Sequence, residues 1–399
     1  MPSEFAHQWA LDPEVDFLNH GSYGAAPRLV LVAQQGWRDR MEQEPVRFFS
    51  RDLDPALDAA REALAAFVGA DPLDLVFVPN ATAGINAVLR SLPLAAGDEL
   101  LTTDHAYNAA RNAMEYAAAQ ARARVVVVPV PFPLQSADEV VETVLSGVTA
   151  RTRLAVLDHI TSATALRLPI ERLVAELAAR GVETLVDGAH APGQVEVDLR
   201  ALGAACYAAN LHKWVCAPKG SGFLWVRRDR QAQVRPLAIS HGANSPRTDR
   251  PRVWLEFDWT GTADPSAYLA VPAAITFGET LLPGGWPALR ERNHRLAIAA
   301  RDLLCDALAI PRPAPDAMLG SMASVPLPEV EAAGSVQGID MYADAIHAEL
   351  IALGIQVMVT PWPQRPDGGP WRRLVRVSAA AYNDLDQYRR LADALRARA

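Results

Sequence analysis

Between residues 71 and 228, short apolar segments alternate with amphipathic stretches of helical periodicity. This alternation predicts a mostly parallel sheet with helices on both faces, because parallel neighbours need a crossover connection. Two of the predicted helices, 56–68 and 170–180, end at Gly69 and Gly181, which suit the position just after a helix. The predicted strands span residues 75–78, 99–103, 124–130, 154–158, 184–187, 206–210 and 222–226.

The pattern changes near residue 264, and the segments beyond it predict a smaller α+β unit. Its predicted elements are helices 287–308, 339–353 and 384–398 and strands 318–325, 355–359 and 373–377. With 399 residues, the chain is long enough for two domains. We therefore expect an α/β fold in three parts: an N-terminal segment (1–25), a large domain with a seven-stranded sheet (26–265) and a small C-terminal domain (266–399). The Pro- and Gly-rich loop 360–371 is expected to be either a lid or a surface connector.

Composition excludes several classes of protein. The net charge is −8 with scattered basic residues, which argues against a nucleic-acid partner. Cys206, Cys216 and Cys305 follow no metal-ligand or disulfide spacing, as expected of reduced thiols in a cytoplasmic protein. The N-terminus has no signal-peptide pattern, and the longest apolar run is too short to span a membrane. A cytoplasmic protein with no metal site and no membrane partner is therefore expected.

Lys213 lies in an otherwise apolar segment, residues 205–226. A buried ammonium group is costly unless it is paired or neutralised. One chemistry that uses such a site is imine formation, because desolvation lowers the lysine pKa and frees the amine as a nucleophile. For this residue alone, a lysine at a strand end with its ammonium group in water remains the alternative.

Asp187 ends a short buried strand 26 residues before Lys213, and a turn with His190 follows it. One strand, a crossover and a second strand separate the two residues, so both can face the crevice at the carboxyl ends of the strands. Pyridoxal phosphate requires this pair: a lysine for the Schiff base and a carboxylate that keeps the pyridine nitrogen protonated. A lone Asp at a strand end is more often a turn or cap residue, but the pairing favours the catalytic interpretation.

Residues 75–92 predict a buried strand, a Pro-Asn turn and a helix that opens with small residues. A helix N-terminus offers N–H donors and positive potential to a phosphate, here through the amides of Thr82 and Ala83 and the Thr82 hydroxyl. Asn80 or Thr82 as an ordinary N-cap is the alternative, and the two roles can coexist. The segment is not a Walker A loop, and no GxGxxG follows an early strand, which weighs against a dinucleotide enzyme.

Nine segments, in order along nearly the whole chain, resemble the class V aminotransferases, and most closely their isopenicillin N epimerase-like branch. They lie at residues 17–27, 44–61, 79–88, 102–109, 187–193, 210–214, 218–226, 259–274 and 376–384. The resemblance implies fold type I, pyridoxal 5′-phosphate as cofactor and an amino-acid-like substrate. It also implies that Lys213 is the Schiff-base lysine and that Asp187 is the partner of the pyridine nitrogen.

The resemblance implies further roles. His105 is similar to the residue that stacks on the cofactor ring, and Tyr107 is the next candidate for that face and for substrate contact. Arg376 matches the arginine that binds a substrate carboxylate. Thr262 matches a residue that reaches the cofactor phosphate from the partner subunit, and this role implies a homodimer with shared active sites. The other implied cofactor contacts are His190 and Ser162 near the phenolic oxygen and Thr82, Ala83, Asn210 and His212 at the phosphate.

Two points depart from a simple assignment. Arg51, with Arg47, lies in a segment shared with the epimerase-like branch, where a contact to a distal substrate carboxylate and an ordinary surface role are both open. The loop 360–371 lacks the reactive cysteine of relatives that desulfurise cysteine, so persulfide formation is not expected.

The expected function is that of a pyridoxal phosphate enzyme acting at the Cα of an amino acid or an amino-acid-derived substrate, epimerase-like or aminotransferase-like. A β-eliminating C–S lyase is the alternative, and a catalytically silent cofactor-binding scaffold is the third possibility.

Overall fold

The computed structural model describes residues 3–327, 344–363 and 371–397. The strands are β1 (Asp16–Phe17), β2 (Leu75–Val78), β3 (Glu99–Thr103), β4 (Arg124–Val128), β5 (Thr152–Asp158), β6 (Glu183–Asp187), β7 (Cys206–Asn210), β8 (Gly222–Val226), β9 (Met322–Pro326), β10 (Ile355–Gln356), β11 (Met358–Trp362) and β12 (Arg372–Ser378). The helices are α1 (His20–Tyr23), α2 (Arg28–Gln43), α3 (Pro45–Arg47), α4 (Leu53–Phe67), α5 (Ala81–Ser91), α6 (Asn108–Ala121), α7 (Ala137–Ser146), α8 (Ile170–Ala178), α9 (Leu199–Leu202), α10 (Arg252–Phe257), α11 (Ser266–Leu269), α12 (Val271–Thr280), α13 (Gly285–Ala307), α14 (Ala345–Ala352) and α15 (Leu385–Arg396).

Seven strands form the main sheet in the order β2-β8-β7-β6-β5-β3-β4. Strand β8 is antiparallel to both of its neighbours, whereas β3 to β7 pair in parallel. This confirms the predicted mostly parallel, seven-stranded sheet. Strand β4 stops at Val128, two residues before the predicted end, and the next residue is Pro129, which has no N–H for the ladder.

Both faces of the sheet are covered. On one face Val76, Val156 and Leu185 pack in a cluster that includes Ile85 of α5 and Met114 of α6. On the other face the intervening strand residues pack against helices that include α4 and α8. Burial on both faces explains why the strands are almost continuously apolar.

The C-terminal part contains an antiparallel sheet in the order β11-β12-β9, against which α13 packs. The predicted strand 355–359 is divided in two, because β10 pairs with β1 whereas β11 pairs with β12. The predicted strand 318–325 begins only at Met322. Residues 339–343 of the predicted helix 339–353 lie outside the described residues, and α14 begins after its N-cap, Asp344.

The N-terminal segment connects the two sheets. It pairs with the C-terminal part through β1 and β10, and the N–H of Ser378 donates to the carbonyl of Leu18. It then passes the Lys213 segment so closely that a Cβ on Gly24 (φ +69°) would lie 1.9 Å from the carbonyl oxygen of His212. Domain boundaries at residues 25 and 265 stay a prediction. Across the described residues, no helix is both long and apolar enough to cross a membrane.

Candidate active site

Two aspartates end neighbouring parallel strands. Asp158 ends β5 and Asp187 ends β6, and the two are register partners. Register partners of parallel strands point to the same face of the sheet, here the face covered by α5. Both side chains are buried, with 4% of each residue exposed. The carboxyl end of the sheet therefore holds two carboxyl groups side by side.

Burial raises the pKa of both carboxyl groups, and that of Asp158 is raised further because it faces the charge of Asp187. The N–H of Ala189 donates to Asp187 Oδ1 at 3.0 Å, and the positive charge of Lys213 also favours ionised Asp187. The directions of these shifts favour a proton on Asp158 and an ionised Asp187.

Lys213 follows β7 in a tight turn. Its carbonyl accepts from the N–H of Cys216 at 3.0 Å and lies 2.8 Å from His20 Nε2. Its Nζ lies 3.0 Å from Nε2 of His190. Burial, with a smaller contribution from the charge of Arg376, lowers the pKa of Lys213 to about 7, against the opposing effect of the two aspartates. A large fraction of the amine is therefore unprotonated at neutral pH.

Arg376 reaches the site from β12 and is 1% exposed. Its Nη1 donates to the carbonyl and hydroxyl oxygens of Ser162 at 2.9 and 3.3 Å, and its Nη2 to Asn19 Oδ1 and Ser22 Oγ at 3.2 and 3.0 Å. These four acceptors are neutral, so they orient the guanidinium without cancelling its charge. A Cβ on Gly21 would lie 2.5 Å from Met322 Sδ and 3.3 Å from Arg376 Nη2, so the close packing around this guanidinium favours a glycine there.

His105 is held at both ring nitrogens. Its Nε2 donates to the carbonyl of Val130 at 2.9 Å, so its Nδ1 accepts from the hydroxyl of Thr164 at 2.7 Å. Burial lowers the pKa of His105 to about 4, and its ring packs against Trp362 with centroids 4.3 Å apart. A neutral imidazole with both nitrogens bonded suits stacking on a flat ligand and is unsuited to proton transfer.

The N-terminus of α5 lies beside the end of β7. Asn210 Oδ1 accepts from the N–H of Ala81 at 2.8 Å, and Asn80 Oδ1 accepts from the N–H of Ala83 at 2.9 Å. The Ala83 amide, predicted to serve a phosphate, thus serves the N-cap here. Within the described chain no acceptor bonds the N–H of Thr82, which leaves that amide open to an anion. His212 lies nearby in sequence, and its Nδ1 donates to the carbonyl of Ser221 at 3.0 Å.

Three predicted residues lie nearer the surface. Tyr107 is 38% exposed, and its backbone N–H bonds the carboxyl group of Asp158. Thr262 is exposed in the loop that follows α10. Other residues of this loop line a cavity of about 220 Å³ that extends to Pro79 and Ala83. Arg51 is exposed in the π-helical turn Phe48–Asp52, and no described residue forms an ion pair or hydrogen bond with its side chain. Among the described residues, no ion pair or hydrogen bond therefore links Arg51 to the site around Lys213.

Sequence reasoning missed several residues of the site. Asp158 ends a predicted strand just as Asp187 does. This shared position at a strand end is the sequence signal that could have identified Asp158 as a site residue. Asn19 and Ser22 belong to segment 17–27, but nothing in that segment indicates that its polar groups reach Arg376 from more than 350 positions away. The contacts of Thr164 with the ring of His105 and of Trp214 with the ring of His190 likewise depend on tertiary packing.

The donor set fits pyridoxal phosphate. Lys213 is half-buried, and its pKa of about 7 leaves about half of the amine unprotonated at neutral pH, which suits an aldehyde. A carboxylate at Asp187 suits a protonated ring nitrogen. The open amide at the start of α5 suits a phosphate, and the bonded ring of His105 suits a planar face. The comparison with known families agrees, since residues 43–391 match the family model described as Aminotransferase class-V.

The chain belongs to the class V aminotransferase family. Among curated relatives, it is 37% identical to isopenicillin N epimerase of Amycolatopsis lactamdurans, over 98% of this chain and 96% of the relative. It is 30% identical to the probable chloroplastic L-cysteine desulfhydrase of Arabidopsis thaliana, over 98% and 84%. The apo cysteine desulfurase of Thermococcus onnurineus NA1 superposes with a TM-score of 0.80 at 19% identity, over 100% of this chain and 98% of that one.

These findings confirm the family, the fold class and the cofactor predicted from the sequence. The protein is a pyridoxal phosphate enzyme of the class V aminotransferase family. The roles of the individual site residues stay predictions, for which the geometry of the site provides the physical basis.

Proposed function

We propose that this enzyme epimerises the Cα of an amino acid or an amino-acid-derived substrate. The observation that carries the proposal is the setting of Lys213 Nζ, an amine with a pKa of about 7 that feels the charges of both Asp187 and Arg376. The 37% identity with an isopenicillin N epimerase over almost the full chain supports the epimerase-like outcome over the others.

Bound pyridoxal phosphate would supply an aldehyde that condenses with amines and a ring that withdraws electrons from the substrate Cα. The residues that would hold it are Lys213 at the aldehyde, Asp187 at the ring nitrogen, His105 over the ring face and Thr82 at the phosphate. Arg376 would bind the substrate carboxylate through its planar guanidinium, in exchange for part of its present contacts to Ser162, Asn19 and Ser22.

Lys213 is the proposed base. Its pKa of about 7 keeps the Nζ lone pair available near neutral pH, so that it can take the proton from Cα. Inversion also needs a proton donor on the opposite face, and His105 is unsuited because Val130 and Thr164 occupy both of its nitrogens. Tyr107 lies two residues further along and is 38% exposed, and its hydroxyl is the group we assign to that face.

A second candidate is C–S lysis, supported by the 30% identity with a probable L-cysteine desulfhydrase. It requires the same Cα proton abstraction by Lys213 but no donor on the opposite face. Transamination shares that first step too. The three activities therefore differ in the fate of the substrate rather than in the base.

An exchange experiment in deuterated water separates these outcomes. Purified holoenzyme is incubated with a panel of L-amino acids, and the substrates are analysed by NMR and chiral chromatography. Deuterium at Cα with inverted configuration supports the proposal, and Tyr107→Phe should then keep exchange but lose inversion. Formation of pyruvate and sulfide from cysteine would contradict the epimerase proposal and show a lyase. Formation of an α-keto acid with an intact side chain would instead show a transaminase. No exchange on any substrate would favour a silent scaffold.

We also propose that two copies of the chain share their active sites. Thr262 is exposed beside a cavity that reaches the α5 N-terminus, and apolar side chains on the surface, such as Leu237 (45% exposed) and Ile239 (66% exposed), suit burial against a second copy. Light scattering should give twice the chain mass, and a monomer that retains full cofactor affinity would contradict the proposal. The cytoplasmic location inferred from cysteine usage remains a proposal.

A further inference from the structure

Trp214 follows the active-site lysine and is buried, with 5% of the residue exposed. Its indole Nε1 donates to Nδ1 of His190 at 3.4 Å. An indole N–H is only a donor, so Nδ1 of His190 must present a lone pair. Because desolvation keeps the pKa of His190 well below its usual value, the ring is neutral and its single proton lies on Nε2.

That proton faces Lys213, since Nε2 of His190 lies 3.0 Å from Nζ. A hydrogen bond between the two nitrogens then requires a lone pair on Nζ, which a neutral amine has and an ammonium lacks. The opposite tautomer would accept from an ammonium, but it would also turn an N–H of His190 toward the N–H of Trp214. The indole thus selects between two arrangements of the histidine–lysine pair.

We propose that Trp214 is a positioning residue that fixes the tautomer of His190, so that Nε2–H of His190 points at Nζ of Lys213 and favours the free amine. The tautomer assignment rests on the geometry of the chain alone, and its value for catalysis rests on the proposed function. The indole thereby places a donor, the Nε2–H of His190, beside Nζ of Lys213, where an ammonium group would need an acceptor. The other charged groups around Nζ are Asp187, Asp158 and Arg376, and none of them depends on the indole.

The chain suits a direct test because it has only two lysines, Lys213 and Lys219. In the full-length chain prepared without cofactor, the acetylation rate of each lysine is measured against pH by mass spectrometry. Trp214→Phe frees His190 to accept from an ammonium, so the pKa of Lys213 should rise by about 1–2 units, the usual effect of a hydrogen bond to a charged group. Labelling of Lys213 at pH 7 should then slow about 5- to 50-fold.

The matched control is Trp225→Phe. Trp225 is also buried, but among the described residues its Nε1 has no hydrogen-bond partner, so its loss should leave Lys213 labelling unchanged. In a His190→Gln background, Trp214→Phe should add no further shift, because Trp214 acts through the imidazole. A further shift in that background, or a Trp214→Phe profile equal to that of Trp225→Phe, would overturn the proposal.

A second measurement needs no variant of Trp214. Long-range proton–nitrogen NMR of ¹⁵N-histidine-labelled protein reports which ring nitrogen carries the proton, with His190 assigned from the signal lost in His190→Gln. Protonated Nε2 supports the proposal, and protonated Nδ1 refutes it. Neither measurement uses turnover, so failure of the proposed epimerase activity would leave this result standing.

Discussion

Asp158 and Asp187 occupy paired positions at the ends of two adjacent parallel strands, and both carboxyl groups are buried beside Lys213. Burial is the larger cause of the raised pKa of Asp158, and repulsion between two negative charges in that space adds to it. We therefore expect the pair to hold one proton, on Asp158, while the N–H of Ala189 stabilises ionised Asp187. This leaves a single negative charge at the position proposed for the ring nitrogen of the cofactor.

Asp158→Asn should make folding less sensitive to pH. The folded pKa of Asp158 lies above its unfolded value of 3.8, so above about pH 4 the folded chain keeps a proton that the unfolded chain loses. Stability from this group is fully present at lower pH and is lost as pH rises. Relative to the variant, wild type should lose up to about 1.4 kcal/mol of unfolding free energy per pH unit across that window. Urea unfolding of cofactor-free protein at several pH values measures the difference.

Asp138→Asn makes the same change of charge on an exposed residue paired with Arg172, and serves as the control. Its pH dependence should follow wild type. If Asp158→Asn also follows wild type, Asp158 is ionised in the folded protein and the one-proton description of the pair is wrong.

Lys213→Ala should abolish the covalent attachment of the cofactor. Borohydride reduction of wild-type holoenzyme should place the cofactor on the peptide that contains Lys213, and the visible absorbance of the adduct should vanish in Lys213→Ala. Lys219→Ala, which removes the only other lysine, should keep both signals. A reducible adduct that persists in Lys213→Ala would show that another amine carries the cofactor.

Arg376→Lys should weaken the binding of substrates through their carboxylate. A lysine keeps the charge but loses the two-pronged contact and leaves part of the Ser162, Asn19 and Ser22 set without a donor. We expect KM to rise about 10–100-fold, the range for loss of one charge-assisted hydrogen bond, with a smaller change in kcat. Arg373→Lys, on the same strand but paired with Asp344, is the control. A KM equal to that of the control would assign carboxylate binding to a different residue.

Asp258→Ala should destabilise the protein strongly. Asp258 accepts two hydrogen bonds from Nη2 of Arg61, at 2.7 and 2.8 Å, and Arg61 is fully buried under the ring of Trp254. Removal of the carboxylate leaves a buried cation without its main partner, at a cost of about 3–5 kcal/mol. Asp249→Ala breaks an exposed pair with Arg247 and should cost less than about 1 kcal/mol. Equal midpoints of urea unfolding for the two variants would contradict this ranking.

The main sheet could be predicted from the sequence because each strand is buried on both faces and is therefore apolar along its whole length. Asp187 and Lys213 could be proposed as site residues for the same reason, since a charged residue in such a setting is conspicuous. Predictions were weaker in the C-terminal part, where 355–359 is divided between two sheets by pairing with the N-terminal segment. Pairing between segments this far apart leaves no local signal.

The amino-acid pattern by itself determined the α/β architecture, the acid and the amine of the site, and, through resemblance, the family and its cofactor. Periodicity and burial are local properties, so they can be read along the chain. Tertiary structure alone decided that Asp158 lies beside Asp187, that Asn19 and Ser22 orient Arg376, and that the indole of Trp214 faces His190. Those relationships depend on distances between side chains from separate elements, which only the packed chain defines.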